Sequence, residues 1–298
     1  MRIRKPGKIK ERVWFLGSEE TCIYLLEGKR DSMIINGGMG YILPDVLRQL
    51  EMFEIEKDRI MKLLILHTHF DHVGIVPFLK RHYPQMEILT SSRGWDILQS
   101  PKALSTINDI NLNMARMLGK DDVYDRYDVI WRDDIKGSTV SEGDCIELGD
   151  LEIHIYETPG HSTCSISAHV PELGLLFPSD AGGVPYKEKI ISLGSSNFTE
   201  YQQSLEKLKG LEVQLLLADH YGYVAGEEAG EFIQRSIDQA KQDRLLMEEF
   251  YRRTGDVGSA ARELRIFFYK ENPEYPFPPE ILEGLFRRMV EHVISART

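Results

Sequence analysis

Four side chains that commonly bind metal ions fall within six consecutive positions of this sequence. They lie in the segment HTHFDH at 67–72, directly after an apolar run that predicts a buried β-strand. In an extended chain His67 and His69 point to the same side, because successive side chains alternate between faces. Asp71 and His72 follow one turn later and can bend back toward the same point. Neutral imidazoles and a carboxylate are natural ligands of Zn²⁺, Fe²⁺ and Mn²⁺, so the segment predicts a metal site.

Three later residues of the same types share one placement, since each follows an apolar stretch that predicts a strand. They are His161, Asp180 and His220. In α/β folds, ligands collect at the carboxyl ends of strands, where the loops meet. Together with the first segment, these residues supply five histidines and two aspartates. That set is large enough for two metal ions with one bridging carboxylate.

The elements that must position these residues alternate between strands and helices, which predicts a layered α/β fold. The amino-terminal part predicts strands over 12–16, 21–27, 32–35, 62–66 and 87–90, with helices over 42–53 and 75–82. Beyond Ser138 the pattern predicts strands over 145–148, 151–157, 164–170, 173–177 and 213–218, with a helix over 200–208.

Two stretches depart from this alternation. Residues 92–127 predict one or two helices inserted between strands, which either cover the site or pack on the surface. Residues 227–298 have helical spacing and no strand pattern, with interruptions at prolines. We therefore predict a main domain over 1–226 and a helical C-terminal extension over 227–298.

Composition limits the classes of function. The 298 residues carry 36 basic and 47 acidic side chains, for a net charge of −11, which argues against a large nucleic-acid surface. No run approaches the ~18 apolar residues of a membrane span, and the basic N-terminus lacks the apolar segment of a signal peptide. Cys22, Cys145 and Cys164 are far apart and predict neither a disulfide framework nor a cysteine zinc site. We expect a cytoplasmic protein that binds no membrane and no nucleic acid.

The motifs resemble those of the metallo-β-lactamase superfamily over roughly residues 12–225. The HTHFDH segment matches its HxHxDH motif, and TPGHS at 158–162 matches the motif of its third histidine. The resemblance implies an αββα sandwich and two sets of metal ligands that share one aspartate. These are His67, His69 and His161 for one ion, Asp71, His72 and His220 for the other, and Asp180 between both. The chain has Ser179 where the family often has glycine and Asn36 where it often has aspartate. Both positions border ligands, and such neighbours tune a metal.

The resemblance implies a binuclear-metal hydrolase, with two divalent ions that could be zinc or iron, or manganese. Bound cations lower the pKa of water to about 7 in favourable sites, so a metal-bridging hydroxide would attack a carbonyl carbon. Asp71 and Asp180 are the expected catalytic residues, and the small-molecule acyl substrate is a thioester, ester or lactone. A thioester is favoured because its leaving group is a thiolate. The pKa of the corresponding thiol is about 8.5, by analogy with cysteine, so the thiolate can leave without a dedicated general acid. The helical insertion and C-terminal helices are most similar in layout to the bacterial quinolone-signal response protein, a 2-aminobenzoylacetyl-CoA thioesterase.

Two other functions remain open at this point. The chain could act mainly as a regulatory protein that binds a partner, with a secondary metal site and a homodimer face on its C-terminal helices. It could also be an iron-dependent oxygenase of the same superfamily, which would hold one iron. Candidate substrate-pocket residues are aromatic side chains near the motifs, and packing in the core explains them equally well. They are Phe70, Trp95, Phe198 and Tyr221, with Tyr186 beside them.

Overall fold

Apolar residues on both faces of the strands allow the sheets of this protein to be covered on both sides. In the computed structural model, which describes residues 1–296, two seven-stranded sheets stack face to face between two outer layers of helices. This is the αββα sandwich that the sequence motifs imply. None of the helices in the described range combines the length and apolar composition needed to cross a membrane.

The strands are numbered in chain order. They are β1 (Arg2–Ile3), β2 (Gly7–Lys10), β3 (Val13–Gly17), β4 (Cys22–Glu27), β5 (Ser32–Ile35), β6 (Ile60–Leu64), β7 (Glu87–Ser91), β8 (Ser138–Val140), β9 (Cys145–Glu147), β10 (Glu152–Glu157), β11 (Ile166–Val170), β12 (Leu175–Phe177), β13 (Val184–Tyr186), β14 (Lys189–Ile191), β15 (Leu215–Leu217) and β16 (Tyr223–Ala225). The first sheet runs β2-β3-β4-β5-β6-β7-β8, and the second runs β1-β16-β15-β12-β11-β10-β9. Strands β13 and β14 pair as a separate hairpin.

The helices cover the outer faces of these sheets. They are α1 (Leu43–Met52), α2 (Val76–His82), α3 (Ser92–Leu98), α4 (Pro101–Met117), α5 (Val123–Arg126), α6 (Phe198–Leu208), α7 (Glu227–Thr254), α8 (Val257–Glu271) and α9 (Pro279–Ser295). Helices α1 to α5 belong to the first half of the chain, and α6 to α9 pack against the second sheet and one another.

Side-chain alternation along the strands builds three apolar cores. On β3, Phe15 points into the core between the sheets while Leu16 points into the core under α1 and α2. On β12, Phe177 joins the core between the sheets while Leu176 faces the helices of the C-terminal half. Burial on both faces explains why these strands appear as continuous apolar runs in the sequence.

The regular elements agree with the sequence predictions to within a few residues, whereas several short pairings had not been predicted. Strands β1 and β16 pair through the register Arg2↔Val224, and the hairpin β13–β14 lies in a stretch for which no element had been predicted. Strands of two or three residues carry too little periodicity to be recognised, and they form because a partner strand is present. The division into domains at residues 226 and 227 stays a prediction.

Candidate metal centre

The predicted ligands meet at one edge of the sandwich because of strand direction. Strands β10, β12 and β15 all run the same way, since β11 lies antiparallel between β10 and β12, and β12 pairs parallel with β15. Their carboxyl ends therefore deliver His161, Asp180 and His220 to the same edge. The end of β6 in the other sheet leads into His67 and the short 3-10 turn Phe70–His72.

Asp180 lies at the centre of the cluster. Its Oδ2 atom is 3.4 Å from Nε2 of both His161 and His220, 3.6 Å from Nε2 of His72 and 3.9 Å from Nε2 of His67. One carboxylate oxygen thus faces four imidazole rings that come from three separate parts of the chain. This is the placement that a bridging ligand requires.

The other six side chains divide into two groups on either side of Asp180. In one group, Nδ1 of His69 lies 2.9 Å from Nε2 of His161, and His67 completes the set. In the other, Asp71 lies with its two oxygens 3.5 Å and 3.6 Å from Nε2 of His72 and His220. These groups match the two ligand sets that the resemblance implied. His69 differs from the other rings because it presents Nδ1 instead of Nε2.

Backbone carbonyls fix the orientation of two of the rings. Nδ1 of His161 lies 2.7 Å from the carbonyl oxygen of Leu193, and Nδ1 of His220 contacts the carbonyl oxygen of Glu20. A carbonyl can only accept a hydrogen bond, so each Nδ1 carries the proton and donates it. In the neutral ring, Nε2 then keeps its lone pair and faces Asp180 as a metal ligand would.

Asp219 is a buried acid that the sequence analysis did not single out as a site residue. Its Oδ2 lies 3.7 Å from Nδ1 of His67 and 3.6 Å from Nδ1 of His72, on the side of each ring away from Asp180. The hydroxyl of Ser179 also lies 2.9 Å from Nδ1 of His67. The sequence could have identified Asp219 as a site residue, because it is an acid that follows an apolar strand and directly precedes a predicted ligand.

The donor set fits divalent cations. Among the described residues, the buried atoms His67 Nε2, His72 Nε2 and Asp180 Oδ1 have no hydrogen-bond partner. Buried polar atoms without partners are rare, and the presence of three of them on predicted ligands fits the binding of a cation. Imidazole nitrogens and carboxylate oxygens are the donors that zinc, iron and manganese prefer.

The electrostatics of the cluster also favour added positive charge. Burial and the neighbouring ring of His161 lower the pKa of His69 to about 3, so that ring is neutral and able to coordinate. Burial opposes protonation of His220, yet the carboxylates of Asp180 and Asp71 raise its pKa to about 10. The two carboxylates therefore stabilise a cation at this position, which a bound metal ion would provide.

Two unusual backbone conformations support the ligands. Gly160, directly before His161, has a φ of +123°, and a Cβ atom there would lie 2.1 Å from the backbone nitrogen of Tyr201. Ser179, directly before Asp180, has a φ of 56°. Strained residues of this kind persist where the surrounding structure holds them, and they cluster at functional sites.

The aromatic pocket candidates occupy different environments. Phe70 lines a cavity beside His69, whereas Trp95 and Phe198 are buried, and the indole nitrogen of Trp95 donates to the carbonyl of Ser138. Contact between these side chains and a substrate stays a prediction.

Tyrosines lie on the His220 side of the centre. Tyr221 packs edge-to-face on Tyr186, with ring centroids 5.1 Å apart, and Tyr186 packs in the same way on Tyr275 at 4.9 Å. Tyr275, from the segment between α8 and α9, had not been predicted, because nothing in its local sequence links it to the motifs.

A further group of metal-capable side chains lies on the exposed face of β9 and β10. It consists of Cys145, Glu152 and His154, with His154 Nε2 3.5 Å from Glu152 Oε2. Apart from their proximity, no described residue around them points to a bound ligand.

Comparison with known proteins agrees with this fold. The sequence profile of the Metallo-beta-lactamase superfamily matches residues 20–220. The chain is 26% identical over 249 residues to the acyl-coenzyme A thioesterase MBLAC2 of Gallus gallus, covering 78% of this chain and 83% of that protein. It is 24% identical over 248 residues to the metallo-beta-lactamase fold-containing protein ST1585 of Sulfurisphaera tokodaii, covering 83% and 86% of the two chains. The solved structure of the metallo-beta-lactamase family protein TTHA1429 from Thermus thermophilus superposes with a TM-score of 0.67 at 16% identity, over 97% of this chain and 94% of that one.

Proposed function

The chain belongs to the metallo-beta-lactamase superfamily, and we propose that within this superfamily of hydrolases it is a metal-dependent thioesterase. The observation that carries the proposal is the position of Asp180 Oδ2, which faces Nε2 of four histidines at 3.4 to 3.9 Å. The name of the thioesterase relative supports the choice of thioester over ester or lactone. No observation on the described residues favours the regulatory or oxygenase alternative.

Two divalent ions would be held by the two groups of side chains that share Asp180. His67, His69 and His161 would hold one ion, and Asp71, His72 and His220 the other. When bound, such ions supply a Lewis acid for the carbonyl oxygen and lower the pKa of water, whichever of zinc, iron or manganese is present. The choice among these metals depends on their availability, because the donor set suits all three.

The protein's own residues do the remaining work of orientation and proton handling. Leu193 and Glu20 hold the rings of His161 and His220 through their carbonyl groups, so Nε2 of each ring points inward before any ligand arrives. Asp71 has one oxygen toward each of His72 and His220, and we assign it the role of accepting a proton from the attacking water. A thiolate can leave without first being protonated, because the pKa of the corresponding thiol is only about 8.5. This is consistent with the absence of an assigned general acid.

A combined metal and turnover experiment tests the proposal. The full chain is purified anaerobically, its metal content is measured, and thiol release is followed on acyl-CoA and acyl-glutathione substrates beside ester and lactone substrates. We expect about two ions per chain, thiol release that stops on chelation, and recovery when metal is returned. Asp180→Ala should lose both metal and turnover, whereas His82→Ala, at the exposed end of α2, should retain both.

Three outcomes would overturn the proposal in different ways. Full turnover by a metal-free preparation, or by Asp180→Ala, would exclude metal-dependent hydrolysis at this centre. Hydrolysis of esters or lactones without thiol release from any thioester would exclude the thioesterase assignment and retain the hydrolase. Oxygen consumption with one iron per chain would replace hydrolysis by oxygenation.

A further inference from the structure

A cavity of about 400 Å³ opens beside the candidate metal centre, on the side of His69. Its inner end is formed by residues of the metal-binding segment, including His69 and Phe70, and its wall by apolar residues of the helical insertion. The apolar wall residues are Ile97, Ala103, Ile107 and Ile110, and the polar residues Ser100, Lys102 and Thr106 line the same wall. The volume lies within the range of small-molecule sites, roughly 300 to 1,000 Å³. We call this cavity the α4 groove.

The α4 groove is built by the spacing of side chains on one helix. Ala103, Ile107 and Ile110 lie four and three residues apart, so they follow one another along the same face of α4. Ile107 is buried, and the other two are half-buried, which leaves apolar surface open toward the cavity. The sequence analysis left open whether this insertion covers the site or packs on the surface. In the structure, α4 lies beside the metal-binding segment and forms one wall of the cavity next to it.

Buried polar contacts hold α4 in this place. The side-chain amide of Asn111 donates 2.6 Å to the carbonyl of Phe70, and its oxygen accepts from the backbone N–H of Gly40 at 2.9 Å. One turn earlier, the side chain of Asn108 exchanges two hydrogen bonds with the backbone of Trp131. The groove is therefore preformed, which lowers the ordering cost of binding a ligand.

The side chains of the wall suit the acyl chain of a thioester better than its coenzyme A portion. Among the described residues that line the groove, Lys102 is the one lysine or arginine, and it lies on an exposed position of α4. A coenzyme A leaving group carries several phosphate charges, for which this wall offers too few cations. An aliphatic chain, by contrast, gains from leaving water against isoleucine and phenylalanine side chains.

We propose that the α4 groove binds the aliphatic acyl chain of the substrate and that Ala103 sets the length of chain accepted. The inference rests on the proposed thioesterase function and adds the acyl class to it. The reacting carbonyl would lie at the inner end beside His69, with the chain extending along α4 and the thiol portion outside the groove. Each methylene buried in the groove should raise kcat/KM by roughly fourfold, until the groove is filled.

The test compares a bulky substitution inside the groove with the same substitution outside it. Ala103→Trp fills the groove, whereas Ser105→Trp places the same ring on the exposed, opposite face of α4. Acetyl-CoA, hexanoyl-CoA and decanoyl-CoA are the substrates. We expect the ratio of kcat/KM for decanoyl-CoA to that for acetyl-CoA to fall at least about tenfold in Ala103→Trp. The Ser105→Trp variant should keep the wild-type ratio.

A binding measurement separates failure of this inference from failure of the proposed function. Calorimetry with a non-hydrolysable decanoyl-CoA thioether reports on the groove without any turnover. Wild type and Ser105→Trp should bind the thioether, and Ala103→Trp should bind it at least about tenfold more weakly. An unchanged chain-length ratio or an unchanged affinity in Ala103→Trp overturns the groove assignment. Absence of thiol release by wild type, with the thioether still bound in the groove, overturns the thioesterase proposal instead.

Discussion

The side-chain amide of Asn36 donates a hydrogen bond of 2.5 Å to the carboxylate of Asp219, directly behind two of the candidate metal ligands. The other carboxylate oxygen of Asp219 faces Nδ1 of His67 and of His72. At 3.6 to 3.7 Å this oxygen is beyond hydrogen-bond distance, but its negative charge favours a proton on each Nδ1, which leaves the lone pair of each Nε2 facing Asp180. The backbone of Asn36 has a φ of 70°, a conformation that asparagine tolerates better than most residues. Asn36 and Asp219 therefore help to orient the rings of His67 and His72, although they are distant from these rings in the sequence.

We expect Asp219→Asn to weaken metal binding about 10- to 100-fold, the cost typical of losing a partner that orients a ligand. The measurement is metal retention during titration with a chelator, which does not depend on turnover. Asp96→Asn, an exposed acid of α3, is the matched control and should bind metal as wild type does. Equal retention by Asp219→Asn and wild type would show that Asp219 does not orient the ligands.

Gly160→Ala should destabilise the fold by about 1 to 3 kcal/mol, because its φ of +123° strains any side chain. The added Cβ would also lie 2.3 Å from Cα of Tyr201, so either α6 or His161 must move. Urea unfolding measures the change. Gly230→Ala, within α7, has only the carbonyl oxygen of Val213 nearby at 3.5 Å and should be stabilising by about 0.5 to 1 kcal/mol. Equal stability of the two variants would contradict the strained placement of Gly160.

Asn111→Ala should lower the free energy of unfolding by about 1 to 3 kcal/mol, since it leaves the N–H of Gly40 and the carbonyl of Phe70 without their partner. The same change should loosen α4 and make the loop at Phe70 more accessible to hydrogen exchange. Asn113→Ala, exposed on α4, should stay within about 0.5 kcal/mol of wild type. Unfolding curves and exchange rates that match between the two variants would refute the tie between α4 and the metal-binding segment.

We expect the free energy of unfolding to depend on pH through Asp243 of α7, which lies outside the metal centre. Burial raises the pKa of Asp243 from 3.8 to about 6, although Gln239 donates a hydrogen bond of 2.9 Å to it. Between these values the folded state binds more protons than the unfolded state, so stability falls as the pH rises through this window. Asp243→Asn removes the dependence and should be more stable than wild type at neutral pH, by on the order of 2 kcal/mol.

The same helix supplies the control for this prediction. Gln234 donates 3.0 Å to Asp238 with the same spacing, but Asp238 is exposed. Asp238→Asn should therefore leave the pH profile of unfolding unchanged. Parallel profiles for wild type and Asp243→Asn between about pH 4 and 6 would rule out a raised pKa at Asp243.

The sequence by itself determined the layered fold and the set of candidate ligands. Continuous apolar runs define the long strands, and the ligands His161, Asp180 and His220 follow such runs closely. The first cluster is local in the chain, so its spacing alone brings His67 and His69 to one side. The strand ends and the spacing of the first cluster could both be predicted, because each depends on residues that are neighbours in sequence.

The tertiary structure decided how these side chains are held and what surrounds them. The proton on His161 depends on a carbonyl 32 residues away, and that on His220 on one 200 residues away, so local sequence carries no trace of either. The carboxylate of Asp219 and the α4 groove likewise arise only when distant segments pack together. Ring orientation, burial and cavity shape depend on contacts between segments far apart in the chain. Strand ends and ligand spacing depend on local sequence alone.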